Sequence, residues 1–196
     1  LIPGLTPAVT LLGLLLPMIA AERATAWYWR LGIILAGIAA AVVIPAETAK
    51  ISIAVGLLVW ALARFVGPAM GTLVGAGLAV AIIAMPLLLS VVLPRLPPLE
   101  GGQMSAVHRV LIWDFALQRM ADRPLLGWGA DGSRAIPGGG DHFPPETLDR
   151  FGLTSDYSRT WFSSPGSLQM SLHPHNGALQ VWLELGPLGA LIAAWL

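Results

Sequence analysis

The sequence predicts an all-α membrane protein: a polytopic bundle of transmembrane helices with one long extracytoplasmic loop that contains short helices. Of its 196 residues, 56% are hydrophobic and only 11% are charged, whereas a soluble domain has about 25% charged residues. The apolar residues are grouped in about five segments, several of them long enough to cross a hydrocarbon core of about 30 Å. Composition and segment length together therefore favour a membrane bundle.

The same composition excludes several classes of protein. The net charge is zero, so no basic surface indicates a nucleic-acid partner, and we expect none. The absence of cysteine excludes disulfides and thiolate metal sites. We predict no cofactor and no metal. Because the chain begins with Leu and is apolar at both ends, we expect it to be a fragment of a larger multi-pass protein.

Residues 1–94 are predicted to form transmembrane helices. The apolar runs cover 1–21, 31–46, the stretch from Lys50 to Arg64, and 65–94. Only thirteen residues separate Lys50 from Arg64. That is too short to span a bilayer at about 1.5 Å per residue, so this helix must include Lys50 and Glu47. The uncharged run of thirty residues at 65–94 suffices for a tilted span or one bent at Pro86.

The arginines indicate the topology. Arg23, Arg30 and Arg64 fall on one side of the predicted spans, and the positive-inside rule makes that side cytoplasmic. Residues 95–175, which hold all four histidines, then form the extracytoplasmic loop. Residues 176–196 begin the next transmembrane helix, which we expect Pro187 to kink.

A helix is predicted early in the loop, with Ser105 as its cap and Pro124 as its end. Arg109 and Trp113 lie four residues apart and so share one face of it. The residues after Pro124 are rich in turn-forming glycine, and 141–172 is expected to be irregular.

A second polar stretch lies where the loop meets the last apolar helix. His173 and the pair His175-Asn176 precede it. Nine residues then separate Asn176 from Gly186-x-x-Gly189. Asn176, Gln180 and Glu184 are spaced by four and line one stripe of the helix. Such a stripe either borders the acceptor or donor cavity or holds a neighbouring helix by hydrogen bonds.

These patterns resemble the bacterial O-antigen ligase and O-antigen polymerase superfamily. One motif is His-Asn followed after nine residues by Gly-x-x-Gly. The other is Arg109 and Trp113 followed by the Pro-Leu-x-Gly-x-Gly turn that begins at Pro124. Ala49-Lys50 is similar to the Ser-Lys at the start of a helix in that superfamily, although the Ser is absent here. The resemblance covers roughly residues 45–196.

The resemblance implies a metal-independent, inverting glycosyltransferase in the bacterial inner membrane. Its donor would be a glycan on undecaprenyl diphosphate, and its acceptor a sugar hydroxyl of lipid A-core or of a growing polysaccharide. Its other partners would be membrane lipids. Two relatives within the superfamily, a polysaccharide polymerase and a protein O-oligosaccharyl transferase, remain alternatives. A non-catalytic transporter or export component is the alternative from another class.

Residue chemistry supports this interpretation independently. Imidazole titrates near neutral pH, so His175 is suited to remove the acceptor proton. Arg109, assisted by Lys50, is suited to bind the diphosphate. The supporting residues are predicted to be Asn176, His173, Trp113, Gln180 and Glu184.

Structural explanations remain open for most of these residues. The two histidines are either ordinary boundary residues or a His-x-His metal pair. Arg109 has a possible ion-pair partner in Asp114, and Lys50 has one in Glu47. Trp113 and Trp128 suit the interior of the loop as well as a sugar platform. His108 and His142 belong to no motif and are expected to be solvated.

Overall fold

A computed structural model describes residue 11 and residues 15–22, 24–43 and 47–196, apart from the side chains of 47–49. The described residues are helical and contain no strand beyond an isolated bridge between His142 and Leu168. The helices are α1 (Trp27–Val43), α2 (Glu47–Val66), α3 (Ala69–Val92), α4 (Met104–Asp122), α5 (Pro145–Arg150), α6 (Asp156–Phe162) and α7 (Gly177–Trp195), with 3-10 turns at Leu93–Arg95 and Gly132–Ala135. The predicted all-α class is confirmed.

The chain forms two compact units, Leu1–Val74 and Gly75–Leu196. In the first unit, α1 and α2 pack around a small apolar cluster of Leu16, Ala41 and Ile53. Helix α2 includes Lys50 in its first turn, as its short apolar run requires. Residues 15–21 are helical. Of the span predicted at 1–21, residues 1–10 and 12–14 lie outside the described residues. Arg23 also lies outside them.

Two helices of the described chain are long and apolar enough to cross a membrane. They are Ala69–Arg95, which joins α3 to its 3-10 turn, and α7. Helix α1 is apolar but has only 17 residues. In α3, Pro86 has no N–H to donate to the carbonyl of Ile82. The indole of Trp182 donates to that carbonyl instead, at 2.7 Å, so the proline leaves no orphaned carbonyl between α3 and α7.

The core of the second unit lies between α4, α7 and the polar segment that joins them. Leu111 of α4, Phe162 of α6 and Leu179 of α7 are all completely or almost completely buried. Each such side chain contributes about 1.5–3 kcal/mol relative to an exposed one. Helix α4 begins at Met104 with Gln103 as its cap residue, so Ser105 lies inside the helix and its predicted capping role is wrong.

Residues 141–172, which we expected to be irregular, contain the short helices α5 and α6. Ser155 caps α6 by accepting the Ser158 N–H at 3.1 Å. Glu100 accepts from the hydroxyls of Ser158 at 2.6 Å and Ser155 at 2.7 Å, and from the Thr154 N–H at 3.0 Å. These hydrogen bonds, led by that of Ser158, lower the pKa of Glu100 to about 2. Local polar capping, invisible to a hydrophobic pattern, thus orders this segment.

Candidate functional site

A tight corner formed by His173, Pro174 and His175 lies immediately before α7. His175 has a φ of +53°, in the left-handed region that few residues other than glycine adopt. Its backbone N–H donates to Nδ1 of His173 at 3.2 Å, and the two ring centroids lie 4.4 Å apart. In this hydrogen bond Nδ1 of His173 is the acceptor and carries no proton. The short distance between the ring centroids shows that the His-Pro-His corner holds its two imidazoles side by side.

Trp113 fastens this corner to α4. Its indole N–H donates to the carbonyl of Pro174 at 2.8 Å, and Pro174 itself is fully buried. Arg109 lies one turn earlier on the same face of α4, because residues four apart on a helix are neighbours. The spacing of Arg109 and Trp113 therefore has a physical role: the tryptophan holds the histidine corner on the face that carries the arginine.

Burial of part of its ring is the main cause that lowers the pKa of His175 below its usual value. Coulombic interactions with His173, Arg109 and His108, which would place positive charge near the ring, lower the pKa further, in that order. The residue as a whole is still exposed, so part of the ring remains accessible. At neutral pH, His175 is therefore a neutral imidazole with an open face, as a general base must be.

Arg109 is exposed and makes no hydrogen bond or ion pair with any residue in the described part of the chain. Asp114, the partner suggested by spacing, instead accepts from Arg150 and from the amide of Gln118, the latter at 2.7 Å. The proposed Arg109–Asp114 pair is therefore not formed. The guanidinium of Arg109 keeps its donors available to an anion beside His175.

Asn176 begins the last helix. Its side-chain Oδ1 accepts the N–H of Leu179 at 3.1 Å, which is the usual N-cap hydrogen bond. The cap fixes the start of α7 and therefore the position of the adjacent His175. One lone pair of Oδ1 is used in this way, which leaves the second lone pair and the amide nitrogen for a contact with the imidazole or a substrate.

The polar stripe of α7, formed by Asn176, Gln180 and Glu184, mainly joins the helix to another segment by hydrogen bonds. Glu184 is only 8% exposed. Its carboxylate accepts from the Ser133 hydroxyl at 2.6 Å, the Asp131 N–H at 3.1 Å and the Gln180 amide at 3.1 Å. Of the two alternatives for this stripe, these contacts favour hydrogen bonding to a neighbouring element. Gln180 and Glu184 therefore fasten the 3-10 turn at Gly132–Ala135 to α7.

The two motifs at Pro124 and Gly186 interlock through their backbones. Pro187 has no N–H for the Leu183 carbonyl, and Gly186 leaves the helical conformation with φ +64° and ψ −168°. Trp128 N–H donates to that Leu183 carbonyl at 3.0 Å, and Gly129 N–H donates to the Glu184 carbonyl at 2.7 Å. The expected break in α7 is confirmed, and the glycine turn after Pro124 satisfies the carbonyls beside it.

Glycine is required at the two closest points of this joint. A Cβ on Gly127 would lie 2.6 Å from the carbonyl oxygens of Leu183 and Glu184, and a Cβ on Gly186 would lie 2.2 Å from the carbonyl oxygen of Leu125. Both glycines also have positive φ. The glycines in these motifs thus allow two segments of backbone to touch.

Lys50 belongs to the first unit, whereas the histidine corner and Arg109 belong to the second. It is half-buried and lines a mostly apolar cavity of about 280 Å³ with residues of α1 and α2, including Ile38, Ala41 and Leu57. The side chain of Glu47 lies outside the described residues. The role of Lys50 in binding the diphosphate therefore stays a prediction.

A metal interpretation of the histidine pair finds no support in the arrangement of ligands. Within residues 15–22, 24–43 and 47–196, no three His, Cys, Asp or Glu side chains are grouped so that they could hold a metal ion.

Two residues near the site were not predicted. His108 is half-buried, bonds to the Leu168 carbonyl at 2.8 Å and packs edge-on against Phe143, Trp161 and Phe162, so the expectation that it is solvated is wrong. His142 is exposed as expected. Ser133 is buried against Glu184. Neither contact has a local signal, because both depend on residues about 50 or more positions away.

Comparison with known proteins points to one family. Residues 30–194 match the family model described as O-antigen ligase. A candidate polysaccharide ligase of Rickettsia conorii is 31% identical over 144 residues, 70% of this chain and 30% of that protein. One from Rickettsia felis is 28% identical over 144 residues, again 70% of this chain and 30% of that protein. One from Rickettsia prowazekii is 34% identical over 87 residues, 44% of this chain and 18% of that protein.

The chain spans about 30% of the length of the first of these curated relatives. No solved structure matches it significantly. The family model covers most of the chain and both interlocking motifs, so this chain belongs to the O-antigen ligase family.

Proposed function

We propose that this chain carries the extracytoplasmic site of an O-antigen ligase-like glycosyltransferase. The donor is a glycan on undecaprenyl diphosphate, and the acceptor is a sugar hydroxyl of lipid A-core or of a growing polysaccharide. The observation that carries the proposal is an accessible His175 whose pKa is lowered, near an exposed Arg109 that has no partner in the described chain. This observation supports a base and a diphosphate-binding cation side by side at the start of an apolar helix.

The reaction is a single displacement. A ring nitrogen of His175 takes the proton of the acceptor hydroxyl as its oxygen attacks the anomeric carbon. The bond from that carbon to the diphosphate oxygen breaks, and the electron pair leaves with undecaprenyl diphosphate. Arg109, assisted by Lys50, stabilises the charge on the departing diphosphate. Attack from the face opposite the leaving group inverts the anomeric configuration, and no step requires a metal.

The proposed location is the bacterial inner membrane, with residues 1–94 as transmembrane helices, 95–175 on the periplasmic side and 176–196 as the next span. The two long apolar helices and the intervening segment with most of the charged residues support this arrangement. It places the histidine corner where a lipid-borne donor and a water-soluble or lipid-anchored acceptor can meet.

The same site chemistry suits a polymerase or a protein O-oligosaccharyl transferase, because these enzymes share the donor and differ in the acceptor. A transporter is less well supported. Transporters use the carbonyls freed at helix breaks to bind ions. Here, the carbonyls of Leu183 and Glu184 beside the break at Gly186 already accept hydrogen bonds from the N–H groups of Trp128 and Gly129.

A reconstitution experiment tests the proposed reaction. We expect the full-length protein to transfer glycan from a synthetic undecaprenyl-diphosphate donor to one class of acceptor: lipid A-core, a glycan chain or a peptide serine. We further expect transfer to continue in excess EDTA, because an arginine replaces the usual metal at the diphosphate. The proposed mechanism would be wrong if chelation abolished transfer and Mg²⁺ or Mn²⁺ restored it.

Cysteine labelling tests the topology. The 196 residues contain no cysteine, and Gly140 is exposed with open space around its Cα. Because residues 95–175 are proposed to be periplasmic, Gly140→Cys should react with a membrane-impermeant maleimide in cells whose inner membrane is intact. Reaction only after lysis would reverse the orientation.

A further inference from the structure

The turn between α4 and the following 3-10 turn, residues 123–129, carries an exposed apolar tip. Leu125 is 69% exposed and Leu126 is 71% exposed. Two adjacent, largely exposed leucines at the tip of a turn form an apolar surface that a membrane or a partner can cover.

The position of this turn along α7 identifies that medium. Trp113 of α4 contacts Pro174 just before α7, whereas Trp128 and Gly129, beyond the end of α4, contact Leu183 and Glu184. Helix α4 therefore runs beside α7 in the same direction. The carbonyl of Leu125 abuts Gly186, the tenth residue of α7. At about 1.5 Å per residue, the tip lies about 15 Å along α7 from its polar start.

Part of the backbone of the turn is paired within the protein, as a hydrocarbon environment favours. Gly127 N–H donates to the Arg123 carbonyl at 3.2 Å, and Trp128 and Gly129 donate to carbonyls of α7. The indole of Trp128 donates to the Arg119 carbonyl at 2.9 Å. Non-helical backbone is tolerated at membrane depth where protein buries it, and these contacts hold the backbone of the turn against α4 and α7.

The flanks of the turn suit the boundary of a bilayer. The guanidinium carbon of Arg123 lies 4.5 Å from the centroid of the Trp128 ring, and an Arg–Trp pair is typical of the headgroup region. A long arginine side chain can direct its charge towards the headgroups while its stem stays in apolar surroundings. Beside it lies a cavity of about 390 Å³ lined mainly by apolar residues of α3, α4 and α7, including Leu87, Met120 and Trp182. The leucine tip thus continues the apolar surface of the two long helices.

We propose that the 123–129 turn is a re-entrant element that dips into the outer leaflet, with Leu125 and Leu126 in contact with lipid acyl chains. Helix α4 descends with α7 from the histidine corner. The 3-10 turn at Gly132–Ala135 still lies beside Glu184 of α7, and the chain returns to the aqueous side after it. The proposal rests on the membrane placement of α7 proposed above. It adds a lipid-facing surface to a segment otherwise assigned to the periplasm.

Nitroxide accessibility in the full-length protein in lipid nanodiscs tests this surface. Single cysteines are introduced by Leu126→Cys, Tyr157→Cys and Leu191→Cys in a protein otherwise free of cysteine, and each is spin-labelled. Tyr157 is the matched control, because it is 68% exposed, like Leu126, but lies in α6 beside the Glu100 cap. Leu191 is 58% exposed on α7 and reports whether that helix is in the bilayer.

We expect the labels at 126 and 191 to be relaxed by oxygen, which concentrates in hydrocarbon, and the label at 157 by a water-soluble nickel chelate. If 191 is in lipid but 126 responds to the nickel chelate, the turn is aqueous and the re-entrant proposal is wrong. If 126 responds to neither reagent, protein covers the tip and the lipid assignment is again wrong. If 191 itself responds to nickel, the membrane placement of α7 fails with it.

Discussion

His175→Ala is expected to lower the single-turnover rate of glycan transfer by about 10²- to 10⁴-fold, the usual contribution of a positioned general base. Donor binding should change little, because the diphosphate is assigned to Arg109 and Lys50. The measurement is transfer from a labelled undecaprenyl-diphosphate glycan, normalised to the amount of folded protein, with donor affinity determined separately.

The pH dependence of the same rate provides an independent check. Burial and neighbouring positive charge lower the pKa of His175, so the base remains neutral to a lower pH than an ordinary histidine would. The wild-type rate should therefore be level near neutral pH. It should fall only below pH 6.5, where an ordinary histidine is half protonated, as acidification protonates His175. The residual rate of His175→Ala should lack this fall.

Two companion variants separate the proposed roles. His173 accepts only the His175 N–H among the hydrogen bonds of the described chain. Losing one such bond costs about 1 kcal/mol, so His173→Ala should be slowed by about tenfold or less. Arg109→Lys should weaken donor binding as well as rate, because lysine cannot make a bidentate phosphate contact. A near wild-type rate for His175→Ala with a collapse for His173→Ala would show that the other imidazole is the base.

Gly186→Ala is expected to prevent stable folding of the second unit. The residue has φ +64° and ψ −168°, a conformation essentially restricted to glycine, and a Cβ would lie 2.2 Å from the backbone oxygen of Leu125. The strained conformation costs about 1–3 kcal/mol. The clash adds to it, because neither backbone can move without breaking the hydrogen bonds from Trp128 and Gly129.

Gly177→Ala is the matched control for this prediction. It lies at the start of the same helix, and a Cβ there would have nothing within 4 Å. The thermal midpoint and the monodisperse fraction in detergent should fall sharply for Gly186→Ala and hardly change for Gly177→Ala. Equal midpoints for the two variants would mean that the close contact between the turn and α7 does not exist.

The sequence by itself determined the features that depend on local periodicity. The long apolar runs predicted the helices α3 and α7, and the short run after Lys50 correctly required α2 to begin before it. The spacing of Arg109 and Trp113 placed them on one helix face, since four residues make about one turn. Pro187 predicted a break in α7 because a proline always removes one hydrogen bond.

Only the tertiary structure decided which groups meet across the chain. A proline in the sequence shows that one helix carbonyl loses its usual donor, but not which group replaces that donor. In the structure the N–H of Trp128 donates to the carbonyl of Leu183, and the indole of Trp182 donates to that of Ile82. Likewise, Glu184 in an apolar helix suggested either a wet cavity or a hydrogen-bonded contact with another part of the protein. Its hydrogen bond with Ser133 favoured the second alternative.

The site shows the same division. Its histidine, asparagine and arginine were identifiable from motifs, whereas the left-handed turn at His175, the fastening of Pro174 by Trp113 and the burial of His108 were not. These features arise from contacts between residues about 60 positions apart or from the backbone bend that such contacts impose. A pattern with a period of 3.6 residues carries no information on pairs at that separation, because long-range packing alone selects them.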